Sequence, residues 1–251
     1  MQTQSSIYIG TSGIVLPGNK DTFPAEFKSG TRLHYYSSLF NSLEINSSFY
    51  KTPKSITFAK WAAEVNDDFR FTVKMPGAIT HSKNLDFDPE ELRHFMHSID
   101  QLGSKKGALL IQFPAKIKLV YFLKVEEILK QVKSLCKNSE WALAIELRDS
   151  SWYDTTVYQM LKKYEASLVF HDMPASKTPL EQPATNIAYL RLHGPTGDYK
   201  GSYSIYDLEQ YAALIRRWHN NGDDVFVYFN NTIGNAYSNA MDLKKMVCNW
   251  K

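Results

Sequence analysis

The sequence predicts a TIM-type (β/α)8 barrel, a closed parallel sheet with outer helices, as a single domain over residues 1–251. Three observations predict it. Eight short β-branched or apolar runs recur along the chain. Helix-length segments separate most of them. Nearly every run ends in a polar residue of a kind that does chemistry. Strand–helix alternation of this form builds a parallel sheet, and 251 residues is an ordinary length for its closed eight-stranded form. The glycine turn after the first run, Gly10-Thr11-Ser12-Gly13, is not G-x-G-x-x-G, and no Walker motif follows elsewhere. An open nucleotide-binding sheet therefore has no fingerprint to rest on.

In chain order, the first run is Ile7–Ser12, and Thr31–Phe40 follows with Leu33, Tyr36, Leu39 and Phe40 on one helical face. Ser42–Asn46 is the second strand, and Ser55–Val65 reads as a capped helix with Phe58, Trp61, Ala62 and Val65 apolar. After Arg70–Lys74, Asp88-Pro89-Glu90-Glu91 is a helix start, with a cap, a proline at the first position and acids in the first turn. Lys105-Lys106 reads as a solvated loop before Ala108–Phe113, and Leu119–Leu135 is a long amphipathic stretch. Trp141–Arg148 leads to a helix over Tyr153–Tyr164, then Ser167–Asp172. Met173–Asn186 holds three prolines and reads as loop. Ile187–His193, a helix over Ile205–Trp218, Asp224–Asn230 and a helix over Asn235–Trp250 complete the set.

Composition narrows the function classes. A formal charge of +3 with no basic stripe does not indicate nucleic acid. Cys136 and Cys248 have neither metal spacing nor a partner close in sequence, which fits a reducing compartment. The start, MQTQSSIYIG, has no basic region followed by an apolar one, and no run approaches the ~18 apolar residues of a membrane span. A cytoplasmic protein without membrane partners is expected, and no motif implies a cofactor.

Side chains alternate along a strand, so parity sorts the polar ones. Trp141, Leu143, Ile145 and Leu147 should face the helices, which turns Glu146 and Arg148 inward. The same sorting turns in Glu44 and Asn46, Thr72 and Lys74, Gln112, Tyr189, Arg191 and His193, and Phe226, Tyr228 and Asn230. Strand six is ambiguous, because His171 and Asp172 fall on opposite parities. The charged residues gather at the C-terminal strand ends, the face where barrels of this type carry their active sites. They form either a structural ion-pair network or a ligand site, and their placement favours the site.

Glu44 and Glu146 are paired carboxylates able to divide acid and base duties, or else to neutralise Lys74 and Arg148. Lys74 is expected protonated beside them, binding an anion rather than forming an imine. Arg191, His193-Gly194-Pro195-Thr196-Gly197 and the Asn230–Asn235 turn make a phosphate or carboxylate ligand plausible, with backbone N–H groups contributing. Glu44, Glu146, Asp172 and His193 lack metal-ligand spacing and have cations beside them, so no metal site is assigned. His81 is a second imidazole for the mouth or the cap of a turn. Tyr50 and Trp152 are the aromatics expected to touch ligand.

At these positions the chain resembles the YecE-like family, catalogued as domain of unknown function 72. Gly10–Gly13, EINSSFYKTP, FRFTVKMPGAITHSKNL, LLIQFP, AIELRDSSW, LRLHG and VYFNNTIGNAYSNA carry the likeness, in the family's order. The resemblance implies a TIM-type barrel and brings no established activity. Ile14 stands where the family usually has Trp, and Asp149 where it usually has His, so an aromatic and an imidazole near the mouth are missing.

The expected function is acid/base chemistry on a polar, anionic small molecule: a sugar, sugar phosphate or nucleotide component. Glu44, Glu146 and His193 form the catalytic set. Asn46, Tyr50, Lys74, Gln112, Arg148, Trp152, Asp172, Arg191, Tyr228 and Asn230 form the binding set. With no redox motif, hydrolysis ranks ahead of isomerisation or lysis. The other reading is a non-catalytic ligand-binding or nucleic-acid-associated barrel.

Overall fold

The computed structural model describes residues 5–136, 141–179 and 182–248. The first four residues of the start read for a leader, and Trp250 at the end of the last expected helix, lie outside them. The expected strands form as β1 (Ile7–Thr11), β2 (Ser42–Ile45), β3 (Arg70–Lys74), β4 (Lys106–Phe113), β5 (Ala142–Leu147), β6 (Ala166–His171), β7 (Ile187–Leu192) and β8 (Asp224–Phe229). Parallel ladders join them in the order β1-β8-β7-β6-β5-β4-β3-β2.

The remaining seam, between β1 and β2, is closed largely by side chains. Its one backbone bridge pairs Ser12 with Glu44, and the Gly13 N–H donates to the Glu44 carbonyl at 2.8 Å. Below it, the Asn41 amide accepts from Ile9 N–H at 3.0 Å and donates to the Ile7 carbonyl at 2.8 Å. The Tyr36 hydroxyl accepts from Thr11 N–H and donates to the Ser42 carbonyl. These contacts satisfy backbone groups that a buried strand edge would otherwise leave orphaned. The strands approach so closely that a Cβ on Gly10 would lie 2.0 Å from the Ser42 carbonyl oxygen.

The helices are α1 (Arg32–Leu39), α2 (Ser55–Glu64), the single-turn α3 (Gly77–Thr80), α4 (Pro89–Ile99), α5 (Phe122–Leu135), α6 (Thr155–Lys163), α7 (Ile205–Asn220) and α8 (Ala236–Cys248). Thr31, Asp88 and Asp154 cap α1, α4 and α6, and Ser204 with Asp207 makes a capping box on α7. The cap expected for α2 does not form: Lys54 holds that position, and Ser55 Oγ turns to Ser98. Between β6 and β7 the described residues form only a 3-10 turn, Pro174–Ser176, as the prolines predict. Lys105 is not solvated. Its ammonium is buried against the Asn66 carbonyl and Asp67, and Lys106 opens β4 paired with Asp100.

Parity holds around the barrel. Leu143, Ile145 and Leu147 join the layer between sheet and helices, while Leu110, Ala144, Val169, Tyr189, Phe226 and Tyr228 fill the interior. Tyr8 stacks on Phe226 and Tyr189 packs on Tyr228, with centroids 4.8 and 5.3 Å apart. Burying such side chains contributes roughly 1.5–3 kcal/mol each. This aromatic floor leaves the polar residues above it, toward the C-terminal ends.

Candidate functional site

The site is organised by Arg191, which β7 projects into the barrel with 1 % of its surface exposed. Its Nε lies 3.0 Å from both Glu44 oxygens and its Nη2 2.9 Å from Oε1. Its Nη1 donates to Glu146 Oε2 at 3.1 Å. The second guanidinium, Arg148, donates from Nε to the other Glu146 oxygen at 2.5 Å and from Nη1 to the Tyr199 hydroxyl at 2.8 Å. Ser12 and Tyr189 donate to Glu44 as well. Every oxygen of the two carboxylates thus accepts from a guanidinium. Burial alone would raise their pKa values, but the arginine charges outweigh it and hold Glu44 low and Glu146 well below the usual carboxylate range.

His193 stands behind the arginines. Its Nε2 is 2.9 Å from Arg191 Nη1 and 3.1 Å from Arg148 Nη2, so it accepts from guanidinium donors. Its Nδ1 faces Asp172 Oδ1 at 3.3 Å, which fixes the proton on that nitrogen. Burial pushes its pKa down, against the hydrogen bond it donates to Asp172. Asp172 is held by the His193 N–H at 2.8 Å and by the Tyr203 hydroxyl. A neutral imidazole of fixed tautomer props both guanidinium groups.

Above this cluster opens a cavity of about 390 Å³. Lys74, Arg148 and Arg191 line it, with Ser12, Asn46, Gln112, Asn230 and Thr232 as uncharged polar groups and Phe49, Tyr50 and Tyr199 as aromatics. Among the described residues, no acidic one is on its wall. Among Glu44, Glu146, Lys74, Arg148 and Arg191, two carboxylates against three cations leave one positive charge when Lys74 is protonated. Lys74 Nζ sits 4.3 Å from the Phe49 ring centroid and makes no hydrogen bond or ion pair to another described residue. Burial, reinforced by Arg191 and opposed by Glu146 and Glu44, lowers its pKa to about 8. The amide side chains of Gln112 and Asn230, buried at 3 % and 7 % exposure, likewise have no hydrogen-bond partner among the described residues. Asn46 Oδ1 is buried without one. An ammonium and three amides without hydrogen-bond partners among the described residues converge on one space.

Asn46, Tyr50, Lys74, Gln112, Arg148, Arg191 and Asn230 therefore meet at the mouth as the sequence predicts. Six expected residues do not reach the cavity. Glu44, Glu146 and His193 lie beneath the arginines, so the catalytic set supports the wall instead of forming it. Asp172 turns to His193 and Tyr203. Tyr228 belongs to the aromatic floor, its hydroxyl shared with Ser42 and Thr72. Trp152 is fully buried, and its Nε1 donates to the Ile117 carbonyl at 2.7 Å. His171 resolves the ambiguity of strand six. It is the inward residue, but its ring is spent on the Leu147 carbonyl and Tyr153. His81 takes the turn role, with Nδ1 on the Thr80 hydroxyl and its ring edge-to-face with Phe49. Burial and the Lys74 charge lower its pKa to about 4.

Four backbone N–H groups of the two glycine-containing turns are spent within the protein. Gly194 N–H donates to the Tyr203 hydroxyl, Gly197 to Gly194, Ile233 to the Tyr199 carbonyl and Gly234 to Asn231. Four lining residues, Ser12, Phe49, Tyr199 and Thr232, lie outside the binding set expected from sequence. Ser12 is next in parity after Gly10, and that signal could have found it. Tyr199 reaches the cavity from a loop at φ +67°, which no periodicity announces. Among the described residues, no three of His, Cys, Asp and Glu converge as a metal set, and no helix is long and apolar enough to cross a membrane.

Residues 8–250 match the family model described as "Protein of unknown function DUF72". The UPF0759 protein YunF of Bacillus subtilis (strain 168) is 28% identical over 266 residues, covering 91% of this chain and 89% of that one. A crystal structure of a DUF72 family protein (EF0366) from Enterococcus faecalis V583 superposes with a TM-score of 0.80 at 22% identity, over 98% of this chain and 96% of that chain. The structure of D-psicose 3-epimerase in the presence of D-fructose gives a TM-score of 0.55 at 9% identity, over 86% and 89% of the two chains, a likeness of barrel fold alone.

Proposed function

The chain belongs to the DUF72 family, whose function is not established, and from that premise we propose that it binds an anionic small molecule of the sugar-phosphate class at the C-terminal mouth and acts on it as an enzyme. The observation that carries this is the asymmetry of charge across the cavity wall. Three cations line it, while the two carboxylates, which pair with Arg191 and Arg148 alone, are turned away beneath them. A wall built only for stability would leave no ammonium unpaired, because desolvating a charge without a partner is costly. A bound phosphate or carboxylate supplies the missing partner through charge-assisted hydrogen bonds.

The same geometry argues against hydrolysis by a pair of carboxylates. Glu44 and Glu146 are buried off the cavity wall, and the arginines keep both ionised. Lys74 is the lining group whose proton is mobile near neutral pH. The pairing of both glutamates with arginines also favours a second reading, a barrel that binds the anion without turning it over.

Thermal-shift titration tests the binding. Inorganic phosphate, sulfate and sugar phosphates should raise the melting temperature of the wild type, and neutral sugars should not. Lys74→Met should abolish most of that gain. Stabilisation by neutral sugars equal to that by their phosphates would remove the anion site. Wild-type turnover of a stabilising compound, lost in Lys74→Met, separates enzyme from binder.

A further inference from the structure

We propose that Lys74 is a nucleophile, its Nζ condensing with the carbonyl carbon of an aldehyde or ketone that also carries a phosphate or carboxylate. The proposal rests on the anion-binding reading of this cavity and deepens it by naming the reacting group and the substrate class.

Division of labour among the three cations is the argument. Arg148 and Arg191 are fixed on both sides by Glu146, Glu44, Tyr199 and His193, and a guanidinium keeps its proton throughout the working range. They keep their charge while Lys74 reacts and can retain the anionic group once its ammonium is consumed. Lys74 differs in kind. The acids that could pair with it are taken, its stem is half-buried, and its Nζ rests on the Phe49 ring with no described residue hydrogen-bonded to it. A lysine brought into an enclosed space beside other cations is the arrangement that releases a neutral, nucleophilic amine. With burial and Arg191 lowering it to about 8, roughly one amine in ten is neutral at pH 7. Gln112 and Asn230, unpartnered on the same wall, are available to hydrogen-bond the oxygen of the adduct.

In the first step the Nζ lone pair forms a C–N bond. The carbonyl π pair moves to oxygen, which takes up the proton that nitrogen releases through solvent, giving a carbinolamine. The nitrogen lone pair then forms C=N as the hydroxyl, protonated by solvent, leaves as water. One neutral amine, one carbonyl compound and one proton from solvent yield one protonated imine and one water, with nothing oxidised or reduced.

Reductive trapping with cyanoborohydride at pH 7–8, read by peptide mass spectrometry, tests this on the full chain. The probes are dihydroxyacetone phosphate, pyruvate and neutral dihydroxyacetone. Phosphate and sulfate melting shifts are recorded in parallel. The expected result is labelling of Lys74 by the two anionic probes at least about tenfold above surface lysines such as Lys118 and Lys200, suppressed by inorganic phosphate. Lys74→Arg should keep the phosphate shift and lose the label at that position. A phosphate shift without Lys74 labelling by any probe would overturn the nucleophile and leave the anion site standing. Labelling of Lys74 equally by neutral and anionic probes, unaffected by phosphate, would overturn the anionic substrate class. Absence of both signals would remove both readings, and uniform labelling of surface lysines would overturn the nucleophile.

Discussion

Arg191 grips Glu44 with Nε and Nη2, at 3.0 and 2.9 Å, and both side chains are sealed from solvent at the seam where β1 and β2 meet. One pair thus serves two purposes. Its carboxylate belongs to the residue whose backbone bridges the seam, and its guanidinium forms part of the cavity wall.

Arg191→Met should destabilise the fold by about 3–5 kcal/mol, because two buried carboxylates lose their shared counter-charge. For a chain of this length that is a fall of roughly 6–20 °C in melting temperature. Glu44→Gln combined with Arg191→Met should cost less than the two single changes added together, since they remove opposite halves of one interaction. Urea denaturation of the three variants checks both statements. Additive losses would show that the pair is not coupled.

The barrel and the gathering of Lys74, Arg148 and Arg191 were legible because strand parity is a strict period of two, and it survives from sequence to structure. What parity cannot state is depth or pairing. Glu44 and Lys74 are both inward, yet one is clamped beneath an arginine and the other is free in the cavity. Trp152 escaped for another reason: it follows the strand in a 3-10 turn, Ser150–Trp152, where alternation no longer applies. Asp172 lies just past the end of β6 and swings to the next strand's His193. The seam-closing roles of Tyr36 and Asn41 depend on contacts across β1 and β2 that no local pattern encodes.

Sulfate affinity should fall as pH rises through about 8, where Lys74 gives up its proton. Sulfate is the suitable probe because it keeps one charge state across this range, and the arginines do not titrate in it. Loss of one charge-assisted contact should weaken binding about fivefold to tenfold between pH 7 and pH 9. Calorimetry on Lys74→Met should show weaker binding with no step near pH 8. An unchanged step in that variant would assign the titration elsewhere.

Folding stability should move the opposite way with pH. In the folded chain Lys74 loses its proton at about 8, against an ordinary value of 10.5. Between those values the unfolded state binds more protons, so stability contributed by this residue rises with pH across that window. Below about 8 the buried ammonium is a liability in the absence of an anion. Lys74→Met should therefore melt higher than wild type at pH 7 in anion-free buffer, with the gap narrowing toward pH 10. A variant less stable at pH 7 would contradict this.

Asp172→Asn tests whether the cavity wall is positioned from behind. The substitution removes the anionic acceptor at His193 Nδ1, and with it the constraint that presents Nε2 to Arg148 and Arg191. Sulfate binding should weaken by about 1 kcal/mol, roughly fivefold, although Asp172 does not line the cavity. The binding step near pH 8 should persist, because Lys74 is untouched. Unchanged affinity would reduce the Asp172–His193 contact to a structural bond.

Trp152→Phe separates packing from ligand contact. The buried indole donates to the Ile117 carbonyl, which phenylalanine leaves without that partner. The expected loss is about 1–3 kcal/mol of stability, with sulfate affinity unchanged because no indole atom faces the cavity. Tyr50→Ala should behave in the opposite sense, since its ring is 86 % exposed at the rim and contributes little to the core. It should leave melting in the absence of ligand nearly unchanged and weaken binding of sugar phosphates more than that of sulfate, because a sugar ring offers an apolar face to the aromatic and sulfate does not. Equal weakening of both ligands would mean that Tyr50 only shields the cations from solvent.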